Sequence, residues 1–167
     1  RLGAAVNFIT SENILVQNNN IQNKRTGVFF DRCIDGRIFN NDLLGSGQDD
    51  NEAAIYIIDP IEDKISGGIR VVGNNLGDGG VGLILQNAEN LIISNDTLSG
   101  QHIAIEDGEL STITFRGIVL NNTSRIRVDD VDLSYNTSRL GTGLYIVNSN
   151  FTFRSDTLIN STANFRR

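Results

Sequence analysis

The chain of 167 residues contains no Trp and no Met, and it has one Cys, one Pro and one His. A single cysteine, Cys33, excludes a disulfide within the chain. No apolar run approaches the roughly 20 residues that a transmembrane helix needs, and no signal peptide is visible. The net charge of −6 argues against nucleic acids and anionic membrane surfaces as partners, because both favour basic patches. The absence of Met predicts a processed chain or a piece of a longer one.

Turn-forming residues are abundant, with 21 Asn and 17 Gly. Asn tolerates the left-handed backbone conformation that tight turns demand, and its side-chain amides can stack into hydrogen-bonded ladders. Gly adopts the same turns without steric cost. The composition therefore predicts a chain of many short elements joined by tight turns.

One phrase occurs seven times: an apolar residue, four mostly polar turn-forming residues, and then Leu or Ile. Its first residues lie 22, 33, 22, 22, 13 and 25 positions apart. A repeat of this length is typical of a solenoid, in which each unit buries its apolar face by stacking on its neighbours. The copies are Val16–Ile21, Ile38–Leu43, Val71–Leu76, Ile93–Leu98, Phe115–Leu120, Val128–Leu133 and Phe153–Leu158.

Alternation of apolar and polar residues precedes the phrase and predicts short strands with one buried face. A second apolar pair usually follows each of these after a turn, so strand, turn, strand, turn and strand make one coil of about 22 residues. The frame between residues 102 and 142 stays open, because either one coil lacks its third strand or Phe115–Leu120 closes a coil. The first pairs are Val6/Phe8, Val28/Phe30, Ile55/Ile57, Leu83/Leu85, Ile103/Ile105, Ile118/Leu120 and Leu144/Ile146.

Three segments align along their whole length: Gly82–Leu98, Gly117–Leu133 and Gly27–Leu43, the last with Gly36 in place of an inward apolar residue. Over roughly residues 4–160 the chain resembles the right-handed parallel β-helix superfamily, the fold of pectate lyases, phage tailspikes and many autotransporter passengers. The resemblance implies an all-β fold, a right-handed parallel β-helix of about seven coils. We expect one domain over 1–167, with inserted loops at 45–53 and 59–68. An antiparallel sandwich is the alternative, but hairpin signals are scarce.

Mostly polar residues occupy the third and fourth places of the phrase, as in Asn18/Asn19, Asn40/Asn41, Gly73/Asn74 and Asn95/Asp96, followed by Gly117/Ile118, Asp130/Val131 and Ser155/Asp156. We interpret this column as structural, with amides bonding the backbone and each other along the solenoid axis. A carbohydrate- or ice-binding ladder is the functional alternative. Ice binding would need flat Thr rows, and the sequence has none.

Enzymes of the resembled superfamily that process uronates place a cation beside a base. The resemblance therefore directs attention to Asp31, Arg32, Asp35 and Arg37 as a candidate glycan-binding face, although alternating charges on a turn are most often a solvated surface. The acidic loop of Asp49, Asp50 and Glu52 is a candidate calcium site, although it lacks the spaced Asp-X-Asp-X-Asp-Gly pattern of calcium-binding loops. No other cofactor is expected.

Other positions offer weaker chemistry. The stretch Asp59–Glu62 faintly resembles a motif of mannuronan epimerases, but Ile61 stands where that motif has its histidine, so we expect an inserted loop. His102 is the only histidine and is expected at the surface near a corner. Cys33 falls in the same column as Ala88, which predicts a small buried thiol.

Two functions follow from these observations. The first is an extracellular or virion-surface structural and interaction module, a fibre, stalk or adhesin segment, because uncapped coils expose strand edges that invite self-association or contact with neighbouring domains. Six Asn-X-Ser/Thr sequons fit an extracellular surface. The polar termini, Arg1–Ala4 and Asn160–Arg167, are at most weak caps. The second is a polysaccharide-processing enzyme, either a lyase, an epimerase or a tailspike depolymerase, or a noncatalytic glycan-binding module.

Overall fold

The structure, a computed structural model, describes residues 3–47, 52–59, 66–77 and 81–97, and the backbone of five further strands. This part of the chain contains fifteen short strands and no helix. The strands are β1 (Ala4–Ile9), β2 (Leu15–Gln17), β3 (Thr26–Asp31), β4 (Arg37–Phe39), β5 (Ile55–Ile58), β6 (Ser66–Gly67), β7 (Arg70–Val72), β8 (Val81–Gln86), β9 (Ala88–Glu89), β10 (Ile92–Ser94), β11 (Arg116–Asn121), β12 (Ile126–Asp129), β13 (Thr142–Val147), β14 (Phe151–Arg154) and β15 (Ala163–Arg166).

The strands form two long parallel sheets. The first has the order β1-β3-β5-β8-β11-β13-β15, and the second has the order β2-β4-β7-β10-β12-β14. A third, two-stranded sheet joins β6 to β9 at the corner between the two long sheets. Every pairing is parallel, which confirms the solenoid and excludes the antiparallel sandwich.

Each of the first four coils contributes one strand to each long sheet and one bridge to a third face. Val6 pairs with Val28 in the first sheet and Val16 pairs with Ile38 in the second, so this first step is 22 residues. The third strand of the predicted coil is only a column of isolated bridges, which runs through Asn20, Asp42, Asn75 and Thr97.

Later steps are longer where the sequence predicts insertions. Val28 pairs with Ile55, 27 residues on, and Ile38 pairs with Val71, 33 residues on. The predicted loops 45–53 and 59–68 lie in these intervals, and their residues 48–51 and 60–65 are outside the described part of the chain. The step from Leu83 to Ile118 is 35 residues.

Left-handed residues mark the corners of the coils, as the Asn content predicts. One corner column consists of Asn18, Asn40, Gly73 and Asn95, with φ of 57°, 52°, 70° and 53°. Asn and Gly adopt this conformation at the lowest cost, which is why they occupy these positions. Arg32, with φ 53°, is an unusual residue for such a corner.

Apolar columns fill the interior between the sheets. Gly36 occupies the inward column of Ile14, Ile69 and Leu91, and the ring of Phe30 takes the volume that a side chain would use there. A Cβ on Gly36 would lie 2.6 Å from Phe30 Cε2. The inward side chains with no exposed surface include Val28, Phe30, Ile38, Leu43, Ile55, Ile57, Ile69, Val71, Leu76, Leu83, Leu85, Leu91 and Ile93.

The copy of the phrase at Phe115–Leu120 does not close a coil, whereas the alternative assignment of Ile118 and Leu120 to a strand of the first sheet is confirmed. The residues of this copy from 116 onward belong to β11, which lies in the first sheet between β8 and β13, and not to the second sheet. Val128 is the true partner of Ile93, so the alignment of Gly82–Leu98 with Gly117–Leu133 is confirmed. The segment 160–167, expected as a polar tail, contributes β15 to the first sheet. The strand predicted around Ile103 and Ile105 lies outside the described residues.

Candidate functional site

A ladder of side-chain amides runs along one corner of the solenoid, as the structural interpretation of the Asn column predicts. Asn41 Oδ1 accepts hydrogen bonds from the backbone N–H and the Nδ2 of Asn19, at 3.0 and 2.9 Å. Asn74 Oδ1 accepts the same pair from Asn41, both at 3.0 Å. Asp96 Oδ1 then accepts them from Asn74 at 2.7 and 2.9 Å. The ladder therefore connects four successive coils, and its members are buried from Asn41 onward.

Asp96 differs from the other members because it is a carboxyl group. It is 1% exposed, and its Oδ2 has no hydrogen-bond partner among the described residues. Burial raises the pKa of Asp96 to about 7, against the opposing effect of the hydrogen bonds from Asn74 and Ser94. A buried group with so displaced a pKa is the most unusual electrostatic feature of the described structure.

The turn predicted as a glycan face is only partly a cluster. Arg32 Nε donates to Asp31 Oδ1 at 2.8 Å, and its Nη2 reaches Asp31 Oδ2 at 3.4 Å. Asp35, in a left-handed conformation with φ 54°, and Arg37, at the start of β4, form no ion pair in the described structure. The turn therefore presents one ion pair and two separate exposed charges, rather than a base held beside a cation.

Arg37 has a different neighbour that the sequence alone did not reveal. It stands in register with Arg70 on the outward face of the second sheet, and both residues are exposed. Adjacent parallel strands are about 4.8 Å apart, so the two arginine side chains project from neighbouring positions on the same face of the sheet. Neither forms an ion pair with a described residue. The signal that could have found the pair was the 33-residue spacing between the two phrases that follow these arginines.

The predicted calcium loop is represented by one of its three acids. Glu52 Oε1 forms an ion pair with Arg25 Nε at 2.7 Å, while Asp49 and Asp50 lie outside the described residues. Within the part of the chain that the structure describes, no group of three His, Cys, Asp or Glu side chains is arranged to hold a metal ion. The calcium site therefore stays a prediction.

The remaining sequence candidates occupy structural positions where they are described. Cys33 is buried, in the column of Ser66 and Ala88 as predicted, and burial raises the pKa of its thiol. Asp59 is buried, and its carbonyl accepts a hydrogen bond from Asn87 Nδ2 at 2.7 Å. His102 and Glu62 lie outside the described residues.

An aromatic column lies on the outward face of the first sheet and was not predicted from the sequence. Phe29 and Tyr56 are in register there, with ring centroids 5.5 Å apart in an edge-to-face arrangement. They are only 5% and 3% exposed, and they pack with Ile84 and Val81 in a second apolar cluster. Because these rings are buried, they stabilise the sheet and do not form an open aromatic platform for sugars.

The first coil exposes the end of the core. Val6 and Phe8 are only partly buried, whereas their partners Val28 and Phe30 in the next coil have no exposed surface. β1 and β2 are edge strands of the two sheets, and Leu15 of β2 is 57% exposed.

The family model for the right handed beta helix region matches residues 4–165, nearly the whole chain. The chain belongs to this family. Membership of the β-helix family establishes the architecture, and folds of this kind carry many different activities.

A solved structure of QnrB1, a plasmid-mediated fluoroquinolone resistance protein, is similar over 90% of this β-helix chain and 92% of that one, at 11% identity. Its TM-score of 0.20 is too low to support any argument. No curated protein matches the sequence. Among the described residues, no helix has the length and hydropathy to cross a membrane.

Proposed function

We propose that this β-helix is a noncatalytic structural and interaction module, a fibre, stalk or adhesin segment of an extracellular or virion surface, and that it associates end to end. The observation that carries the proposal is the open first coil. Its core side chains lose burial relative to the next coil, and the edges of β1 and β2 have no strand partner in the described structure. Such edges are templates for pairing with another chain.

The geometry favours a second copy as the partner. β1 and β15 are opposite edges of the same parallel sheet, and β2 and β14 are opposite edges of the other. A copy stacked in the same direction would therefore bring its β1 to β15 as a parallel neighbour, while its β2 would lie one coil too far from β14 to pair with it, because β15 extends one coil beyond β14. Contacts of this head-to-tail kind do not close, so they generate filaments rather than discrete oligomers.

The surface location is supported by composition. Six Asn-X-Ser/Thr sequons and a net charge of −6 fit a soluble, glycan-bearing exterior. Most of the described interior consists of stacked aliphatic side chains and amides, which build a scaffold and leave little room for a reaction site.

Two matched variants test end-to-end stacking. Val6→Lys places a charge in the open end of the core, where it reaches solvent in the free chain but would be buried on stacking. Asn7→Lys adds the same charge one residue away on the exposed outward face of β1. Electron microscopy and solution mass at micromolar concentration should show filaments for the native chain and Asn7→Lys, and monomers for Val6→Lys, with unchanged circular dichroism. Monomeric native protein, or equal filament formation by both variants, would overturn the proposal.

A second candidate function, noncatalytic binding of an anionic glycan, is favoured by the Arg37 and Arg70 pair. Like charges directly opposite each other on a sheet are unfavourable, and a bound carboxylate would neutralise them. Uronate oligosaccharides should bind in calorimetry with an affinity that falls as salt is raised, and Arg37→Gln or Arg70→Gln should weaken binding at least tenfold. Arg25→Gln is the control, because Arg25 is already paired with Glu52.

Enzymatic activity is the alternative that this binding assay must separate. Release of unsaturated sugars from the same oligosaccharides, abolished by Arg32→Ala or Asp35→Ala, would replace the noncatalytic proposal by a lyase. Binding without product release would support a glycan-binding surface alone.

A further inference from the structure

The amide ladder follows a strict pattern of donors. Besides bonding the next member, Asn41 Nδ2 donates to the Val16 carbonyl at 3.0 Å, and Asn74 Nδ2 donates to the Ile38 carbonyl at 2.9 Å. Val16 and Ile38 are partners in the second sheet, so both bonds are the same contact repeated one coil later. Each interior member thus uses its oxygen as an acceptor and its nitrogen as a donor to the preceding coil.

Asp96 takes the next place in this pattern. Its Oδ1 accepts the two hydrogen bonds from Asn74 that define the acceptor position, so Oδ2 stands where the other members carry their nitrogen. Sheet register makes Val71 the next carbonyl after Val16 and Ile38. An ionised carboxylate has only acceptors to offer there, whereas a protonated carboxyl has one O–H donor. The unpartnered, buried Oδ2 marks a missing donor.

We propose that Asp96 is protonated in the folded chain in mildly acidic solution, and that its Oδ2–H donates to the Val71 carbonyl and completes the ladder. Loss of that proton would leave a buried negative charge against a carbonyl oxygen, with no donor to replace it. The carboxyl is therefore a pH-sensitive connection between the third and fourth coils. This inference does not depend on the proposed function.

Among the residues whose side chains the structure describes, the neighbours of Asp96 offer little to stabilise its charge. Asn74, packed against it from the third coil, is neutral, and Arg70 on the same side is an exposed outward residue. On the strand that pairs with β10 from the other side, Arg127 is in register with Ile92 and Asp129 with Ser94. Burial is the largest influence on the pKa of Asp96.

The direction of the pH effect follows from the two protonation equilibria. The displaced pKa of about 7 compares with an ordinary value of 3.8 in the unfolded chain. Between these values the folded chain holds a proton on Asp96 that the unfolded chain has lost. The stability that this proton contributes is therefore fully present below pH 3.8 and is lost as the pH rises through about 7. The folding equilibrium constant should fall by at least tenfold, and by up to roughly a thousandfold, over this range.

The variant Asp96→Asn isolates this effect, because its amide supplies the donor at every pH. Urea unfolding of the native chain and the variant from pH 4 to pH 8.5 should give similar folding constants at pH 4 and an advantage for Asp96→Asn that grows to tenfold or more by pH 8. Asp42→Asn is the control, since Asp42 is a half-buried carboxyl bonded by Gln22 and Asn75 in a neighbouring column. Equal pH dependence in the native chain and Asp96→Asn would overturn the proposal.

A second measurement keeps the test decisive if the variant folds poorly. The carboxyl carbon of Asp96, followed by NMR in native protein with labelled aspartate, should titrate with a midpoint at least two pH units above its ordinary value. The signal is identified by its absence in Asp96→Asn or by its proximity to the Asn74 amide. A midpoint near 4 would show that the folded chain carries the charge, and the proposal would fail.

Discussion

The fit of Phe30 over Gly36 gives a prediction that can be worked out quantitatively. A methyl group at position 36 would lie 2.6 Å from Phe30 Cε2, 3.3 Å from Cδ2 and 3.4 Å from Ile69 Cγ1. Carbon atoms pack best at about 3.5–4.0 Å, so the first contact is too close by about 1 Å. Gly36 does not have a positive φ, so its role is to leave space and not to adopt an unusual backbone.

The expected cost of Gly36→Ala follows from that overlap. Overpacking a close-packed core costs about 1–3 kcal/mol, and the smaller entropy of the unfolded alanine chain returns about 0.4–1 kcal/mol. We expect Gly36→Ala to lower the free energy of unfolding by about 1–2 kcal/mol. Phe30→Leu, which removes part of the ring, should cost about 2 kcal/mol because it leaves a cavity.

The double variant is the decisive measurement. The new methyl group would enter the space that Phe30→Leu vacates, so the two costs should not add, and the coupling free energy should be about 1–2 kcal/mol in favour of the double variant. Urea unfolding followed by far-ultraviolet circular dichroism measures all four proteins. Leu85→Ala combined with Gly36→Ala is the control, because Leu85 lies two strands from Phe30 in the same column.

Additive costs in the Phe30 cycle, within about 0.5 kcal/mol, would refute the reasoning, since they would mean that ring and glycine do not share one space. Coupling of equal size in the Leu85 cycle would also contradict it, because the effect would then spread through the whole column rather than arise at one contact.

Three further predictions follow from single residues. Arg32→Asn should raise stability by about 0.5 kcal/mol in urea unfolding, because Asn suits the left-handed corner better and the partly exposed ion pair with Asp31 contributes little; a loss above about 1 kcal/mol would contradict this. Asn41→Ala should cost about 2–4 kcal/mol through lost ladder hydrogen bonds, whereas Asn20→Ala, at an exposed position, should change stability by less than about 0.5 kcal/mol. The buried thiol of Cys33 should resist a disulfide reagent at pH 8 until urea unfolds the chain, and rapid labelling of the folded protein would argue against its burial.

Much of the fold could be predicted because the spacing of the repeats in a solenoid sequence gives the register of its strands. The phrase predicts all six strands of the second sheet, and the structure pairs their first apolar residues in sequence order: Val16, Ile38, Val71, Ile93, Val128 and Phe153. The error at Phe115–Leu120 arose because that segment has the apolar ends of the phrase without its turn. Its third and fourth places are Gly117 and Ile118, which lack the Asn or Asp that makes a corner.

The features that could not be predicted depend on contacts between coils. The column of Asn19, Asn41, Asn74 and Asp96 was recognisable from the phrase, but the sequence does not show that the carboxyl group of Asp96 is buried without a partner for Oδ2 among the described residues. The pairing of Arg37 with Arg70 follows from the alignment of the two phrases that come after them, but the exposure of both arginines does not. Exposure is a property of the stack of coils, and the sequence of one coil does not contain it.

The parallel stacking of the sheets has a mechanical consequence. Hydrogen bonds between coils run along the solenoid axis, so a force that pulls the two ends apart along this axis would open the stack one coil at a time rather than shear a whole sheet. Each regular coil of 22 residues, such as that from Val6 to Val28, would release roughly 70–80 Å of chain when it unwinds. A tether built in this way lengthens in steps under load, and the coils still stacked keep their own contacts and can rewind the released segment when tension falls.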